Sequence, residues 1–291
     1  MLYNALKSVG HHVQYFPLWA ALTVLRWRSF DMRSRGLGTT LAAVMRWFPP
    51  ARLRFDREVG RVFPEMSRKD RARLGQDMGR HMGRTLFEIY HDAEFQTQHE
   101  KFRVSGPGLD ALKAAQASGK GAIIVSGHFG QWEAVRAVLK MHGLESGAVY
   151  RPHKNAHYER RLRAGIEAGG MPILATGRVG TGALVRHLRG GGIISILLDE
   201  KYAEGVLLPF LGIDALTSLS AAQLALKFGL PMVPAYVIRI EDGNAFRVEF
   251  EAPIPHSDSL TMTRAFNDSL SARIMENPDQ WYWMLRRWGG Q

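Results

Sequence analysis

The spacing of hydrophobic residues divides the chain into two parts with different predicted structures. In the first hundred residues the apolar positions recur at helical intervals. Met78, Met82, Leu86 and Ile89 follow one another at spacings of four and three, which predicts one buried face of a helix over 68–91. We therefore expect a helical N-terminal region over residues 1–100.

From about residue 104, short apolar runs alternate with stretches of helical periodicity. The predicted strands are 121–125, 147–150, 171–175, 193–198, 232–240 and 246–250. The predicted helices are 132–141, 156–168, 179–188, 218–228 and 263–275. Alternating strands and helices are typical of an α/β fold, here a mixed, largely parallel sheet flanked by helices over residues 101–291. The last two strands are predicted to pair as a hairpin across Asp242-Gly243.

The segment 13–25 is apolar except for Gln14 and Thr23 and is followed by several arginines. A helix that spans a bilayer needs about 20 apolar residues, so this shorter run favours an interfacial helix and a membrane-facing N-terminal part. The arginines after it favour a cytoplasmic location for the rest of the chain. The alternative is a buried first helix of a soluble domain.

The charge of the chain changes the list of expected partners. Lys and Arg number 38 against 27 Asp and Glu, which gives a net charge of +11. Such a charge favours anionic partners: nucleic acid, an acidic protein, a phosphorylated substrate or an anionic membrane. The chain has no cysteine, which excludes disulfides, thiolate metal sites and a cysteine nucleophile. No His-Glu-x-x-His pattern occurs, and we expect neither a metal nor an organic cofactor.

The first candidate site follows the strand at 121–125, where glycines flank His128 and Glu133 lies five residues further on. With His128 in a loop and a helix starting near Gly130, the Glu133 carboxylate is predicted to reach one imidazole nitrogen. The other nitrogen would then serve as a general base. The N–H groups near Gly130 would point at the same place. The alternative is a structural histidine in a strand–helix turn.

Two further strand ends carry polar residues, and ligands in open α/β sheets bind beyond such carboxyl ends. Tyr150 and Arg151 follow the strand at 147–150, where a guanidinium can bind phosphate or carboxylate in a bidentate manner. Asp199 follows the strand at 193–198, where it can orient a substrate or a base. The alternatives are an exposed arginine, and a carboxylate that caps a helix or pairs with Lys201.

Five segments, in order, make the chain resemble the late acyltransferases of lipid A biosynthesis, the lauroyl and myristoyl acyltransferase family. The matching segments lie within 60–291 and are Gly-His-Phe-Gly-Gln-Trp-Glu (127–133), Val-Tyr-Arg-Pro (149–152), Leu-Asp-Glu (198–200), Pro-Phe-Leu-Gly (209–212) and Asn-Pro-Asp-Gln-Trp-Tyr-Trp with Arg-Arg-Trp (277–288). Three positions depart from the family pattern. They are Glu200 in place of Gln or His, Asp279 in place of Glu, and Leu285 in place of His.

The resemblance implies a glycerolipid-acyltransferase-like fold at the cytoplasmic face of the cell inner membrane. It also implies transfer of a fatty acyl chain from acyl carrier protein to a hydroxyl of a phosphorylated lipid A precursor. The excess of basic residues fits an acidic carrier protein, lipid A phosphates and the anionic inner membrane. Two alternatives stay open: another acceptor, such as a lysophospholipid or a glycolipid, and a nucleic-acid-binding protein. The chain has no nucleic-acid-binding signature, so we expect no nucleic acid partner.

Within this scheme the candidate residues take separate roles. His128 is the expected general base and Glu133 the group that orients it. Gly130 and its neighbours supply N–H donors for the oxyanion. Tyr150 and Arg151 contact the acceptor, and Asp199 supports the site.

Overall fold

The computed structural model describes residues 26–289 and, before them, 10–12, 15–16, 19–20 and 23–24. Of the predicted membrane segment 13–25, residues 13, 14, 17, 18, 21, 22 and 25 lie outside the described residues, so membrane association of this segment stays a prediction. Among the helices that are described, none combines the length and the apolar character needed to cross a bilayer.

The centre of the described structure is a seven-stranded mixed sheet with the order β1-β9-β8-β2-β5-β3-β4. The sheet strands are β1 (Phe102–Ser105), β2 (Ala122–Ser126), β3 (Ser146–Tyr150), β4 (Ile173–Ala175), β5 (Ile193–Leu197), β8 (Met232–Ile240) and β9 (Ala245–Phe250). All neighbouring pairs are parallel except β8 and β9. A separate antiparallel hairpin consists of β6 (Val206–Phe210) and β7 (Ile213–Thr217). The predicted α/β fold with a largely parallel mixed sheet is confirmed.

Helices flank this sheet on both faces. The helices are α1 (Phe30–Trp47), α2 (Pro49–Val62), α3 (Arg68–Tyr90), α4 (Asp92–Phe95), α5 (Gly108–Ala117), α6 (Ala134–Met141), α7 (Ala156–Gly169), α8 (Arg178–Arg189), α9 (Ser220–Phe228) and α10 (Ser259–Glu276). Side chains cap several N-termini; Ser67, for example, accepts a hydrogen bond from the Asp70 N–H at the start of α3. Two hydrophobic clusters of buried side chains form the core.

Helices α1 and α3 approach each other very closely because glycines line their contact. A Cβ atom on Gly83 would lie 2.5 Å from the Leu37 carbonyl oxygen, and one on Gly79 would lie 2.8 Å from that of Leu41. Near its C-terminal end α3 also bonds to the loop after β2, where the Thr85 hydroxyl donates to the Gly130 carbonyl at 3.0 Å. The N-terminal helices therefore support the loop that follows β2. The division into two domains near residue 100 stays a prediction.

Every strand and helix predicted after residue 104 is present, with ends shifted by no more than about four residues. The pattern did not predict β1, the β6–β7 hairpin or, as individual helices, α1, α2, α4 and α5. The hairpin turns at Leu211 and Gly212, whose φ angles are +51° and +78°. Its first strand, Val-Leu-Leu-Pro-Phe, shows no alternation of apolar and polar residues that would mark a strand.

The strand order determines where the candidate residues meet. Strands β2, β5 and β3 are consecutive neighbours in the sheet and run parallel. Their carboxyl ends therefore share one edge, and the residues that follow each strand can form one site.

Candidate active site

His128 lies in the loop that follows β2 and is held there by its own backbone. The His128 N–H donates to Asp199 Oδ2 at 2.7 Å, and the His128 carbonyl accepts from the Tyr282 N–H at 2.9 Å. The adjacent β5 end is aligned with this loop because the Leu198 N–H donates to the Ser126 carbonyl at 2.9 Å. The imidazole therefore has a fixed position at the sheet edge.

The side chain of His128 pairs with Asp199. The distance between His128 Nδ1 and Asp199 Oδ1 is 2.8 Å, and the imidazole is 20% exposed whereas the carboxylate is fully buried. A carboxylate on Nδ1 keeps the proton there and leaves Nε2 as the basic nitrogen. This is the arrangement of a histidine general base with a positioning carboxylate.

Trp281 and Gly127 lie directly against the Asp199 carboxylate. The Trp281 Nε1–H donates to Asp199 Oδ2 at 2.9 Å. A Cβ atom on Gly127 would lie 3.0 Å from the same oxygen and 2.6 Å from the Leu270 side chain, so the glycine leaves room for the pair. Arg287, also buried, donates to the Thr217 hydroxyl at 2.5 Å and to the Leu216 carbonyl at 2.6 Å.

The electrostatics of this pair favour its ionised form. Burial by itself would lower the pKa of His128, but the charge of Asp199, its hydrogen bond and the charge of Glu200 together raise that pKa above its ordinary value. Burial would raise the pKa of Asp199, but His128 and the hydrogen bonds that the carboxylate accepts lower it. Burial lowers the pKa of Arg287 to about 10, and the charge of Asp199 opposes this effect.

The predicted contact between Glu133 and His128 is wrong. The Glu133 carboxylate forms a buried ion pair with Arg136, one turn further along the chain. It also faces Asp92, whose pKa is raised to about 7 by burial and by the charge of Glu133. Helix α6 begins at Ala134 rather than near residue 130, so Glu133 precedes the first helical turn instead of lying within it.

The predicted role of Gly130 as an oxyanion donor is also wrong, because its N–H is already bonded. The Gly130 N–H donates to the Gln280 carbonyl at 2.8 Å, and the Gln131 N–H donates to the Val237 carbonyl at 3.0 Å. Gly130 has a φ of +59°, and a Cβ atom there would collide with the Val237 carbonyl oxygen. The residue therefore turns the chain beside β8, and its N–H is not free to bind an oxyanion.

The two candidates after β3 have different surroundings. Arg151 is exposed, and its guanidinium lies 3.2 Å from the Glu200 carboxylate. Glu200 is the residue that follows Asp199 in the chain. The Tyr150 hydroxyl donates to Glu159 on α7 at 3.1 Å. The structure thus joins His128 and Asp199 and places Arg151 against Glu200, the residue that follows Asp199, while Glu133, Gly130 and the Tyr150 hydroxyl bond elsewhere.

Trp281 and Arg287 were missed as site residues, although both lie in segments that carried the family resemblance. The signal of Trp281 was weak because it is distant in sequence from the residue to which it donates. Trp281 is separated from Asp199 by 82 residues, and only the folded chain brings its indole N–H to a buried carboxylate.

Comparison with known proteins identifies relatives of the whole chain. Residues 6–289 match the family described as "Bacterial lipid A biosynthesis acyltransferase". The "Lipid A biosynthesis palmitoleoyltransferase" of Escherichia coli (strain K12) is 24% identical over 287 residues, 95% of this chain and 92% of that protein. A "Lipid A biosynthesis acyltransferase" of Haemophilus influenzae is 23% identical over 282 residues, 94% and 87% of the two chains.

A relative with a different printed activity matches part of the chain. The "Phosphatidylinositol mannoside acyltransferase" of Mycobacterium tuberculosis is 26% identical over 192 residues. The match covers 64% of this chain and 60% of the mycobacterial protein, so the chain spans less than two thirds of the length of that relative.

Proposed function

Because this chain belongs to the bacterial lipid A biosynthesis acyltransferase family, we propose that it transfers a fatty acyl chain from acyl carrier protein to a hydroxyl of a phosphorylated lipid A precursor. The observation that carries the proposal is the 2.8 Å pairing of His128 with the buried Asp199 at the carboxyl edge of the sheet. A histidine held in this way suits the removal of a proton from an alcohol.

In the proposed reaction, Nε2 of His128 takes the proton of the acceptor hydroxyl as its oxygen attacks the thioester carbonyl. A carbon–oxygen bond forms, and the carbon–sulfur bond breaks when the tetrahedral intermediate collapses. The proton passes from the imidazolium to the departing thiolate. Asp199 orients the ring and stabilises the imidazolium during these steps.

Arg151 is proposed to contact the acceptor beside this pair. Its guanidinium is 71% exposed, and among the described residues its ion-pair partner is the partly exposed Glu200. An anionic ligand can therefore compete for it at small cost, since exposed ion pairs contribute about 0–1 kcal/mol.

A second acceptor class is favoured by one of the relatives. The mycobacterial phosphatidylinositol mannoside acyltransferase, 26% identical over 192 residues, acts by its name on a mannosylated phospholipid. The same histidine chemistry would serve a sugar hydroxyl of such a glycolipid. The alternative product is an acylated phosphoglycolipid.

We propose that the protein works at the cytoplasmic face of the inner membrane, where a lipid acceptor and a soluble carrier protein meet. Exposed apolar side chains on the N-terminal helices support this location. Trp47 is 73% exposed and Leu53 is 61% exposed, and Arg46 stacks on the Trp47 ring. Aromatic and basic residues together are typical of interfacial binding.

Competition between acceptors and donors tests the proposal. The full-length protein is incubated with a lipid A precursor, a lysophospholipid and a phosphatidylinositol mannoside, each with acyl carrier protein or coenzyme A as the carrier of the acyl chain. Mass spectrometry identifies the acylated product. We expect the lipid A precursor with acyl carrier protein to react fastest, and exclusive acylation of another acceptor would refute the assignment.

A further inference from the structure

A concave surface with an excess of positive charge lies where α2 meets the C-terminal segment and the chain that follows Asp199. It is a cavity of about 870 Å³ between α2, the segment after β5 and the C-terminal segment, within the range of ligand pockets. We call it the basic groove. Its charged residues are Arg54, Arg57, Glu58, Arg61, Lys201 and Arg286.

Three of the basic side chains in the groove are not neutralised. Arg57, Arg61 and Arg286 are exposed, and within the described residues their side chains form neither an ion pair nor a hydrogen bond. The groove's remaining cations, by contrast, bond to backbone carbonyls: Arg54 to that of Met284 and Lys201 to that of Gly289. Like charges one helical turn apart, as at Arg57 and Arg61, repel each other. An anion bound between them would relieve this repulsion.

The carboxylate of Glu58 indicates that the ligand of the groove also carries a hydrogen-bond donor. Glu58 is 4% exposed, and its Oε2 atom is buried without a hydrogen-bond partner. An unpaired buried acceptor is costly. A ligand that carries a hydroxyl or amide N–H next to its anionic group would satisfy Glu58 and the arginines together, as a phosphorylated sugar does.

The groove is connected to the catalytic pair by two short stretches of chain. Lys201 lies two residues after Asp199, a distance of at most about 7 Å between Cα atoms. The C-terminal segment contacts His128 through the Tyr282 N–H and reaches the groove at Arg286, four residues later. A ligand in the groove is therefore within reach of a reaction at His128 when it is as large as a glycolipid head group.

We propose that the basic groove binds the phosphate group of the lipid acceptor, with Arg57, Arg61 and Arg286 as its ligands. Guanidinium groups bind phosphate through paired charge-assisted hydrogen bonds. This assignment rests on the proposed acyl transfer to a phosphorylated lipid and adds the site that recognises its phosphate. The exposed Trp47, Phe48 and Leu53 lie on the same helical corner as the groove, which favours a ligand presented at a membrane surface.

The kinetic test compares a phosphorylated acceptor with the same lipid after phosphatase treatment. In the wild-type chain the phosphorylated lipid should have the lower KM. In the double variant Arg57→Gln/Arg61→Gln, the KM for the phosphorylated lipid should rise by about 10- to 100-fold, since two charge-assisted bonds are lost. The difference between the two lipids should largely disappear.

A matched control separates the groove from the general charge of the protein. The variant Arg52→Gln/Arg68→Gln also removes two positive charges, but from exposed positions that do not line the groove. It should keep the preference for the phosphorylated lipid. An equal rise of KM in the control would overturn the proposal, as would a rise of KM for the acyl carrier protein alone, which would assign the groove to the donor.

A binding measurement keeps this test independent of catalysis. Full-length protein is titrated with dodecyl maltoside micelles that contain a small fraction of dodecyl phosphate, with inorganic phosphate as competitor. Binding that is lost in the groove variant and kept in the control supports the groove even when no acyl transfer is found. Normal binding by the groove variant overturns the groove and leaves the transfer reaction standing. If inorganic phosphate bound as tightly as the micellar dodecyl phosphate, the proposal that the ligand is a lipid would be overturned.

Discussion

At His128, the two ring nitrogens have different surroundings, and this difference defines the proposed chemistry. Nδ1 is paired with Asp199, so the other nitrogen, Nε2, is the one left for a substrate proton. Glu133 follows the end of β2 and Asp199 the end of β5, and within the described structure Asp199 is bonded to the imidazole whereas Glu133 is bonded to Arg136. Asp199 and Glu133 should therefore have separable effects when they are substituted.

Substitution of Asp199 by Asn should impair the reaction itself. The amide keeps the shape of the side chain but loses the charge that stabilises the imidazolium. We expect kcat/KM to fall by about 10²–10⁴-fold, the usual range for general acid–base catalysis. Steady-state kinetics at saturating donor, with circular dichroism to verify folding, measure this effect; activity within a factor of two of the wild type would remove Asp199 from the mechanism.

Substitution of Glu133 by Gln should act first on stability. Glu133 and Arg136 have side chains that are 8% and 2% exposed, and removal of one partner from a buried pair costs about 3–5 kcal/mol. The free energy of unfolding in a urea titration should fall by about that amount. Well below the unfolding transition, kcat/KM should decrease less than in Asp199→Asn. A fully stable Glu133→Gln chain with the larger kinetic defect would contradict the observed pairing.

Among the elements, the turn after β2 depends on Gly130. This residue needs both a positive φ and the space that its missing side chain leaves under β8. Gly119, at the end of α5, also has a positive φ of +67°, but a Cβ atom added there would have no neighbouring atom within 4 Å. A side chain at Gly119 would therefore meet backbone strain alone, whereas one at Gly130 would meet backbone strain and a steric collision.

Substitution of each of these glycines by Ala tests the turn. Gly119→Ala should cost about 1–2 kcal/mol, the usual penalty for a side chain in the left-handed conformation. Gly130→Ala should cost about 1–3 kcal/mol more, because the methyl group forces the chain away from Val237. Chemical denaturation of the two variants measures the difference, and equal losses of stability would show that the loop has room to move.

The strands and helices after residue 104 could be predicted because each has its own local periodicity. The choice of Asp199 rather than Glu133 as the partner of His128 could not, because it depends on the adjacency of β2 and β5, which is a property of strand order. The local cue was misleading: Glu133, five residues from His128, is near it in sequence, but the turn at Gly130 and the late start of α6 direct it to Arg136. The sequence thus indicated the sheet edge and the histidine, and Asp199 as a neighbour, but not the contact between them.

At the scale of the whole molecule, exposed apolar side chains are concentrated at the N-terminal end. Of the sixteen large apolar residues that are exposed in the described part, nine precede residue 54. Clusters of this kind mark contact surfaces. The net charge of +11 favours an anionic partner for this surface. The N-terminal segment should therefore contribute to membrane binding together with α1 and α2.

A truncated chain that begins at Arg28 tests this contribution. It keeps the Ser29 cap of α1 and the packing of Phe30 on Phe87, whose ring centroids are 5.1 Å apart. We expect it to fold, to bind anionic vesicles less tightly and with less salt dependence, and to act poorly on an acceptor embedded in a membrane. Misfolding, detected by circular dichroism, would favour a buried first helix, and undiminished sedimentation with vesicles would refute the anchor.

The pH dependence of kcat/KM in the wild type and in Asp199→Asn tests the central claim most directly. A general base must be neutral, so activity is lost as the pH falls through the pKa of His128. Asp199 raises that pKa, so the acid limb of the wild type should lie above about 6.5, the ordinary value for histidine. Without the carboxylate the effect of burial remains, and the limb should move below about 6.5. The same acid limb in both proteins would contradict the account.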